Sequence, residues 1–297
     1  MALFRAVRRP GVRADKGKVK VEVPSATMKL AVLSDIHGNL PALEATIEHA
    51  ERLSVDGFIV IGDIVIGAPD SPACWKRIKA LKCPVLRGNH EGYIVSHDNP
   101  LWQTPQFAPI TWAASQLGEE VRRELGALPF SLTLPNAPDL LFVHASLRND
   151  RDGVDMYTTE AELAEMFTDL SARYVVRGHN HIAAIREWKT HQLITDSSVG
   201  LPLNGVTKAQ YLILEKHPDR WQPTFYAVPY DVDEALGRFY ETGYLDEAGA
   251  VAYLFYREVA TATHQLTPFL RGYQRYSQRE TLGLTEAVRA FLQFGSL

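Results

Sequence analysis

Short apolar runs that each end in a cluster of acidic, amide or imidazole side chains dominate residues 28–181. Each run has the length of a buried strand, and apolar residues at helical spacing follow several of them, so the pattern predicts alternating strands and helices. In an open α/β sheet, ligands bind beyond the carboxyl ends of the strands, so clusters on one sheet are expected to meet at one rim. The five clusters are Asp35-Ile36-His37, Gly62-Asp63, Gly88-Asn89-His90, His144 and His179-Asn180-His181.

These clusters supply seven candidate metal ligands. Asp-x-His and His-x-His spacing places two donors on the same side of an extended segment. Imidazole and oxygen donors without thiolates favour Mn, Fe or Zn. Seven donors are too many for one tetrahedral ion, and they suit two ions that share one carboxylate. The seven residues are Asp35, His37, Asp63, Asn89, His144, His179 and His181.

Each cluster taken alone also has a structural interpretation. A single histidine at a strand end commonly satisfies a buried hydrogen bond, and a Gly-Asp pair commonly forms a turn. The joint occurrence favours a shared site, because five of the ten histidines lie in these clusters, each behind an apolar run.

In combination the clusters resemble the five motif blocks of the calcineurin-like metallophosphoesterases, from about residue 28 to about residue 229. Ser198-Val199-Gly200 is similar to a segment of a small prokaryotic branch that includes phosphodiesterases and dinucleoside-tetraphosphatase-like proteins. The resemblance implies an α/β (α+β) fold: a four-layer αββα sandwich with a dinuclear site between its sheets. The spacing of apolar residues after about residue 231 predicts extra C-terminal helices.

The resemblance also implies a role for each clustered residue. His90 is expected to act as general acid or to donate to phosphoryl oxygens, and Glu91 to orient it. One carboxylate is expected to bridge two divalent transition-metal ions. The first ion would take Asp35, His37, His181 and Asp63, and the second would take Asp63, Asn89, His144 and His179.

Four arginines lie near the motif blocks and could bind phosphate through a guanidinium fork. Each one alone is also an ordinary surface arginine. Arg87 and Arg148 are the better candidates for substrate binding, ahead of Arg151 and Arg177.

The function that this pattern favours is metal-dependent hydrolysis of phosphate mono- or diesters of a small molecule or nucleotide. Two bound ions would lower the pKa of a water from about 15.7 towards ~7 and supply hydroxide at neutral pH. A non-catalytic scaffold on the same fold is the alternative. A protein phosphatase is a further alternative, although Gly62–Gly67 lacks the Asp-Arg-Gly signature of that group.

Charge is distributed unevenly along the chain. The first 27 residues hold seven basic and two acidic side chains, whereas the remainder holds 24 basic and 33 acidic ones. An acidic body is a poor partner for long nucleic acid. No apolar run approaches the ~20 residues of a membrane helix, so no membrane partner is expected. Cys74 and Cys83 form no metal or redox motif, which favours a reducing, cytoplasmic setting.

Composition and periodicity suggest three segments. Residues 1–27 are expected to be a basic, flexible extension, and Met28, directly before the first strand, is a candidate translation start. Residues 28–229 are expected to form the catalytic domain. Within it, 92–128 is a candidate cap in which Trp102, Phe107 and Trp112 either stack on a nucleobase or pack the core. Residues 230–297 are expected to form helices on the same domain and, if their tyrosines are exposed, a homo-oligomer interface.

Overall fold

The computed structural model describes residues 28–277 and 282–295, so the basic segment 1–27 lies outside the described residues. The described chain contains nine strands. They are β1 (Lys29–Leu33), β2 (Gly57–Val60), β3 (Ser131–Leu134), β4 (Ala137–Val143), β5 (Tyr174–Arg177), β6 (Ala184–Trp188), β7 (His191–Thr195), β8 (Ala209–Lys216) and β9 (Trp221–Val228).

Helices follow most of the strands, as the spacing of apolar residues predicts. The helices of the described residues are α1 (Leu40–Arg52), α2 (Ser71–Leu81), α3 (Asn89–Val95), α4 (Ala108–Gly126), α5 (Glu160–Met166), α6 (Val232–Glu241), α7 (Tyr244–Glu247), α8 (Ala252–Thr261), α9 (Leu266–Ser277) and α10 (Leu284–Phe294). No segment of them combines the length and apolar character that a bilayer crossing requires.

The strands form two sheets. The first has the order β2-β1-β8-β9, and the second has the order β3-β4-β5-β7-β6. β1 pairs in parallel with β2, and β4 with β5, so each sheet brings two strand ends to the same side. The hairpins β6–β7 and β8–β9 complete the sheets as antiparallel pairs, in the regions where short hairpin strands are predicted.

Side-chain alternation along the strands creates a layered core. Leu30 and Val32 of β1 share a buried apolar cluster with Phe142 and Val176 of the second sheet, so the two sheets pack face to face. The intervening residues of β1 pack instead against α1, α2, α4, α6 and α8. On the far side, Val175 packs with residues of α5. The predicted αββα sandwich is therefore confirmed.

The C-terminal helices pack on the same body. Phe239 of α6 and Phe255 of α8 lie in the apolar cluster that covers the first sheet. Burial of a side chain of this size contributes roughly 1.5–3 kcal/mol relative to exposure. A separate cluster joins α8, α9 and α10 through Leu254, Phe269 and Phe291.

Two details differ from the predicted elements. The apolar stretch Pro84–Leu86 forms a single bridge, between Val85 and Val60, rather than a strand. Pro84 has no N–H to donate, which limits the pairing that this stretch can make. The polar clusters also do not share one sheet: Asp35 and Asp63 follow β1 and β2 of the first sheet, whereas His144 follows β4 of the second sheet. They converge because the sheets face each other.

Candidate metal centre

Backbone conformation at the strand ends turns the predicted ligands inward. The left-handed region, which costs a non-glycine residue on the order of 1–3 kcal/mol, is typical of functional sites. Five of the seven predicted ligands adopt it. Their φ angles are 54° at Asp35, 50° at His37, 54° at Asp63, 69° at His179 and 57° at His181.

One donor group joins the ends of β1 and β5. The ligand atoms of Asp35, His37 and His181 all lie within 4.8 Å of one another. His181 Nε2 lies 3.2 Å from Asp35 Oδ1 and 3.1 Å from His37 Nε2. Asp63 Oδ2 lies 3.9 Å from His37 Nε2, so the Asp63 carboxylate borders this group.

A second donor group includes the same Asp63 carboxylate. The ligand atoms of Asp63, His144 and His179 also lie within 4.8 Å of one another, and Asp63 Oδ2 is 3.3 Å from His144 Nε2. The Asn89 carboxamide oxygen lies 3.1 Å from His144 Nε2. The structure thus brings all seven predicted ligands into two groups that meet at Asp63.

Three of the histidines are oriented by backbone carbonyl groups. A carbonyl oxygen only accepts hydrogen bonds, so Nδ1 of each ring carries a proton and Nε2 is the ring atom left to bind a metal ion. This arrangement is typical of metal-ligating histidines. The Nδ1 atoms donate from His37 to Ile66 O (2.7 Å), from His144 to Ile61 O (2.8 Å) and from His181 to Leu201 O (2.6 Å).

The donor atoms leave lone pairs that a cation would satisfy. Asp35 Oδ1 is buried and accepts no hydrogen bond from the described residues. The Asn89 oxygen faces Asp63 Oδ2 at 3.3 Å and His179 Nδ1 at 2.9 Å, so several acceptors converge. Without a cation, these acceptors receive hydrogen bonds only if the Asn89 carboxamide is turned by 180°. A cation bound between them would instead favour the observed orientation, in which the Asn89 oxygen faces the other acceptors. The residues present therefore fit divalent metal binding.

Some donor atoms of the two groups carry protons before a metal ion binds. Burial raises the pKa of Asp63, but the neighbouring histidines His144, His90 and His37 together outweigh burial and hold that pKa below its usual range. Burial lowers the pKa of His144, but Asp63 raises it to about 10. Asp35 likewise raises the pKa of His181 against its burial, whereas burial lowers that of His179 to about 3. An incoming cation has to displace protons, so its binding releases them.

The segment Ser198–Gly200 holds the first donor group in place through hydrogen bonds to the backbone of Asp35. Ser198 Oγ donates to Asp35 O at 2.6 Å, and Gly200 N donates to the same oxygen at 3.1 Å. A methyl group at Gly200 would overlap the carbonyl of Ile36, so the close approach requires glycine at this position. This contact explains why a Ser-Val-Gly segment accompanies the metal-ligand motifs.

His90 lies at the open side of the centre. Its backbone N–H donates to Asp63 Oδ1 at 2.8 Å, and its ring Nε2 lies 3.8 Å from Asp63 Oδ2. The His90 ring packs edge-on against His37, with 4.6 Å between the ring centroids. Its side chain is 17% exposed, whereas His37 and His144 are almost fully buried, so it is accessible to a ligand.

Glu91 does not have the contacts expected of a residue that orients His90. The hydrogen bonds of its buried carboxylate come from backbone amides of the two neighbouring loops, including Asp63 N at 2.9 Å, Ile64 N at 2.8 Å and Gly88 N at 2.8 Å. The role in orienting His90 stays a prediction, and the observed contacts hold the backbone of Asp63 and of Gly88, the residue before Asn89.

The two arginines favoured for substrate binding differ in their surroundings. Arg148 donates to Asp152 at 2.8 Å and to Glu165 at 3.1 Å, so carboxylates already occupy its guanidinium. Arg87 is half-buried, and its Nε atom has no hydrogen-bond partner among the described residues. Arg87 therefore remains a prediction for phosphate binding, whereas the contacts of Arg148 do not support such a role.

Arg177 and Asn180 fix the loop that follows His144, a role that the sequence pattern does not indicate. Arg177 is fully buried and donates to Ala145 O and Asp152 O, each at 2.6 Å. Asn180 pairs with both backbone groups of Val154, at 3.0 and 3.2 Å. Asn180 lies between the predicted ligands His179 and His181, so the same segment anchors both the donor groups and the loop.

The aromatic residues of segment 92–128 divide into two sets. Trp112 is buried, donates to Glu247 at 2.9 Å and packs against Tyr244, so it belongs to the core. Trp102 instead packs against Tyr93, with 4.8 Å between centroids, and Tyr93 packs against His90 at 5.3 Å. Tyr93 was not singled out from the sequence, because only the fold places it beside the metal centre.

Comparisons with known proteins agree with this geometry. Residues 28–183 match the calcineurin-like phosphoesterase family. An uncharacterised protein of Methanocaldococcus jannaschii is 25% identical over 69% of this chain and 89% of its own length. A metallophosphoesterase from Sphaerobacter thermophilus superposes with a TM-score of 0.61 at 23% identity, covering 77% of this chain and all of its own.

A hypothetical protein from Pyrococcus horikoshii shares the fold with a TM-score of 0.64 at 20% identity, covering 74% of this chain and 96% of its own. The family match extends over more than half of the chain and contains all five motif clusters. The family comprises phosphoester hydrolases that generally use divalent metal ions. This chain belongs to the calcineurin-like phosphoesterase family.

Proposed function

We propose that the chain hydrolyses phosphate mono- or diesters of a small molecule or nucleotide with the aid of two divalent transition-metal ions, Mn, Fe or Zn. The observation that carries the proposal is the position of Asp63, whose Oδ2 lies 3.9 Å from His37 Nε2 and 3.3 Å from His144 Nε2. A carboxylate shared by two donor groups is suited to bridging two cations.

The proposed ligand sets follow the two donor groups. When bound, the ions supply Lewis acidity towards phosphoryl oxygens and an activated water as nucleophile. The buried carboxylates of Asp35 and Asp63 neutralise only part of the cationic charge, which leaves an attractive site for a phosphate anion. The first ion is assigned to Asp35, His37, His181 and Asp63, and the second to Asp63, Asn89, His144 and His179.

His90 is assigned the transfer of a proton or a hydrogen bond to the phosphate group. The His90 ring lies beside the donor atoms but is partly exposed. Its Nδ1 atom has no hydrogen-bond partner among the described residues. A positioned acid of this kind contributes roughly 10²–10⁴-fold to the rate. Glu91 contributes by holding the Asp63 and Gly88 backbone in place.

A substrate screen on the metal-reconstituted protein tests the proposal. Bis(p-nitrophenyl) phosphate, p-nitrophenyl phosphate and a nucleotide panel separate diesterase from monoesterase activity. We expect turnover that chelation abolishes and that added Mn, Fe or Zn restores. Turnover that survives complete chelation would contradict the role of the metals, and a fully loaded protein without turnover would favour a scaffold function.

Setting and assembly complete the proposal. The free thiols of Cys74 and Cys83 support a reducing, cytoplasmic setting.

Tyr240 of α6 and Phe294 of α10 are 62% and 71% exposed, which supports a homo-oligomer formed through the C-terminal helices. Light scattering at micromolar concentration tests the second point, because a monomeric mass would contradict it.

A further inference from the structure

Arg151 lies at the edge of the metal centre, where the residue before it in the chain is close to one predicted ligand and its own side chain contacts Tyr93. The backbone carbonyl of the preceding residue, Asp150, is 3.0 Å from the Asn89 carboxamide. The guanidinium carbon of Arg151 is 5.1 Å from the centroid of the Tyr93 ring, which itself packs against His90. The cation is therefore beside the residues assigned to the reacting phosphate.

The charge of Arg151 is available, in contrast to that of Arg148 on the same loop. Arg151 Nε lies 3.7 Å from Asp150 Oδ1, a long ion pair, and the Arg151 side chain is half exposed. Arg148 forms shorter pairs with two carboxylates, at 2.8 and 3.1 Å. Of these two exposed arginines, Arg151 has the longer ion pair, so less of its charge is already engaged by a carboxylate.

The loop that carries Arg151 is held in place before any ligand binds. Arg151 N donates to Asn149 Oδ1 at 2.8 Å, which closes a local turn. One step further along the chain, the buried Arg177 guanidinium donates to Asp152 O. Contact with Tyr93 restricts the long Arg151 side chain, and a guanidinium has five N–H donors, so part of them can bind a ligand while that contact is kept.

We propose that Arg151 binds a second anionic group of the substrate, apart from the phosphate that is hydrolysed. This inference rests on the proposed function. The ligand class is a phosphate ester with a further phosphate, because a guanidinium edge donates two parallel hydrogen bonds to phosphate oxygens. Tyr93 is a positioning residue that holds the guanidinium over the rim of the site.

Calorimetric binding to the metal-loaded full chain tests the inference without requiring turnover. Adenosine 5′-monophosphate and adenosine 3′,5′-bisphosphate are the probes, because they differ by one phosphate on the same nucleoside. A charge-assisted pair of hydrogen bonds predicts that the bisphosphate binds ~10–100-fold more tightly. Arg151→Gln should abolish this preference, whereas Arg151→Lys should retain part of it.

Arg148→Gln is the matched control, since it removes an exposed arginine three residues away, and it should leave the preference intact. The preference should also weaken with ionic strength, because the Arg151 side chain is half exposed. Equal binding of both nucleotides by the parent protein, or an undiminished preference in Arg151→Gln, would overturn the inference. The expected preference without phosphoesterase activity would refute the proposed function alone.

Discussion

Glu91 accepts a hydrogen bond from the backbone N–H of Asp63 at 2.9 Å, and this contact links two motif clusters that lie 28 residues apart. The same carboxylate oxygen, Oε2, accepts from Gly88 N at 2.8 Å, directly before the predicted ligand Asn89. The other oxygen accepts from Ile64 N at 2.8 Å. One buried acid therefore sets the spacing between the two predicted metal ligands Asp63 and Asn89.

Glu91→Gln is expected to weaken both stability and metal binding. The new amide group would face backbone donors in place of an acceptor, so the free energy of unfolding should fall by about 2–4 kcal/mol. Displaced ligands should cost ~10–100-fold in metal affinity. Denaturant unfolding and metal titration measure the two effects. Unchanged metal affinity with reduced turnover would instead support a role in orienting His90.

Metal removal is expected to lower thermal stability. Ions that bind only the folded state stabilise it by about 2.7 kcal/mol at one hundred times their Kd, which corresponds to a Tm change of roughly 5–10 °C. Calorimetry before and after chelation measures this change. Mn or Zn should restore the Tm, whereas Mg should not, because imidazole is a poor ligand for Mg. An unaltered Tm at saturating Mn or Zn would contradict a folded metal site.

His90→Ala is expected to separate chemistry from metal binding. The seven assigned ligands remain, so metal content should be unchanged, while kcat should fall roughly 10²–10⁴-fold. Steady-state kinetics alongside metal analysis on the same sample measure both quantities. His97→Ala is a control, since the His97 ring bonds to Ile94 O away from the donor groups. Retention of full kcat in His90→Ala would remove His90 from the mechanism.

Glu258 is expected to make stability fall as pH rises. Its carboxylate is buried, which raises its pKa, and Oε1 accepts from Gln265 N and Leu266 N at the start of α9. A raised folded-state pKa means that the folded protein binds the proton more tightly, so stability is lost as pH increases above the unfolded value near 4.3.

Glu258→Gln tests this dependence, because the glutamine oxygen keeps both hydrogen bonds and removes the charge. The variant should match the parent near pH 4 and become more stable than it as pH approaches 8. Urea unfolding of both proteins across this range measures the difference. A parent protein that gains stability relative to the variant with rising pH would contradict the assigned direction.

The strands that carry the predicted ligands could be inferred from the local pattern of apolar residues. The apolar runs before Asp35, Asp63, His144 and His179 correspond to β1, β2, β4 and β5, because a buried parallel strand needs a short continuous apolar segment. The N-cap of α1 is a local feature of the same kind: the Asn39 side chain accepts a hydrogen bond from Ala42 N at 3.2 Å. Period and capping depend on neighbours in sequence, so they can be inferred without tertiary structure.

Contacts that depend on the packing of distant segments were not inferred correctly. Arg177 was considered a surface arginine, yet the loop after His144 covers it and supplies carbonyl acceptors. The family resemblance pairs Glu91 with His90, whereas the hydrogen bonds of Glu91 come from Gly88 and from the loop after β2. Tyr93 became relevant only because α3 directs its ring between His90 and Trp102.

Equilibrium metal binding by the full chain tests the central assignment most directly. The account predicts two Mn or Zn ions per chain, one ion after His181→Ala, and weakened binding of both ions after Asp63→Ala. Asp70→Asn is the control, because Asp70 is a buried aspartate paired with Arg238, and it should still bind two. Less than one ion per chain in the parent protein, or two tightly bound ions in Asp63→Ala, would contradict the account.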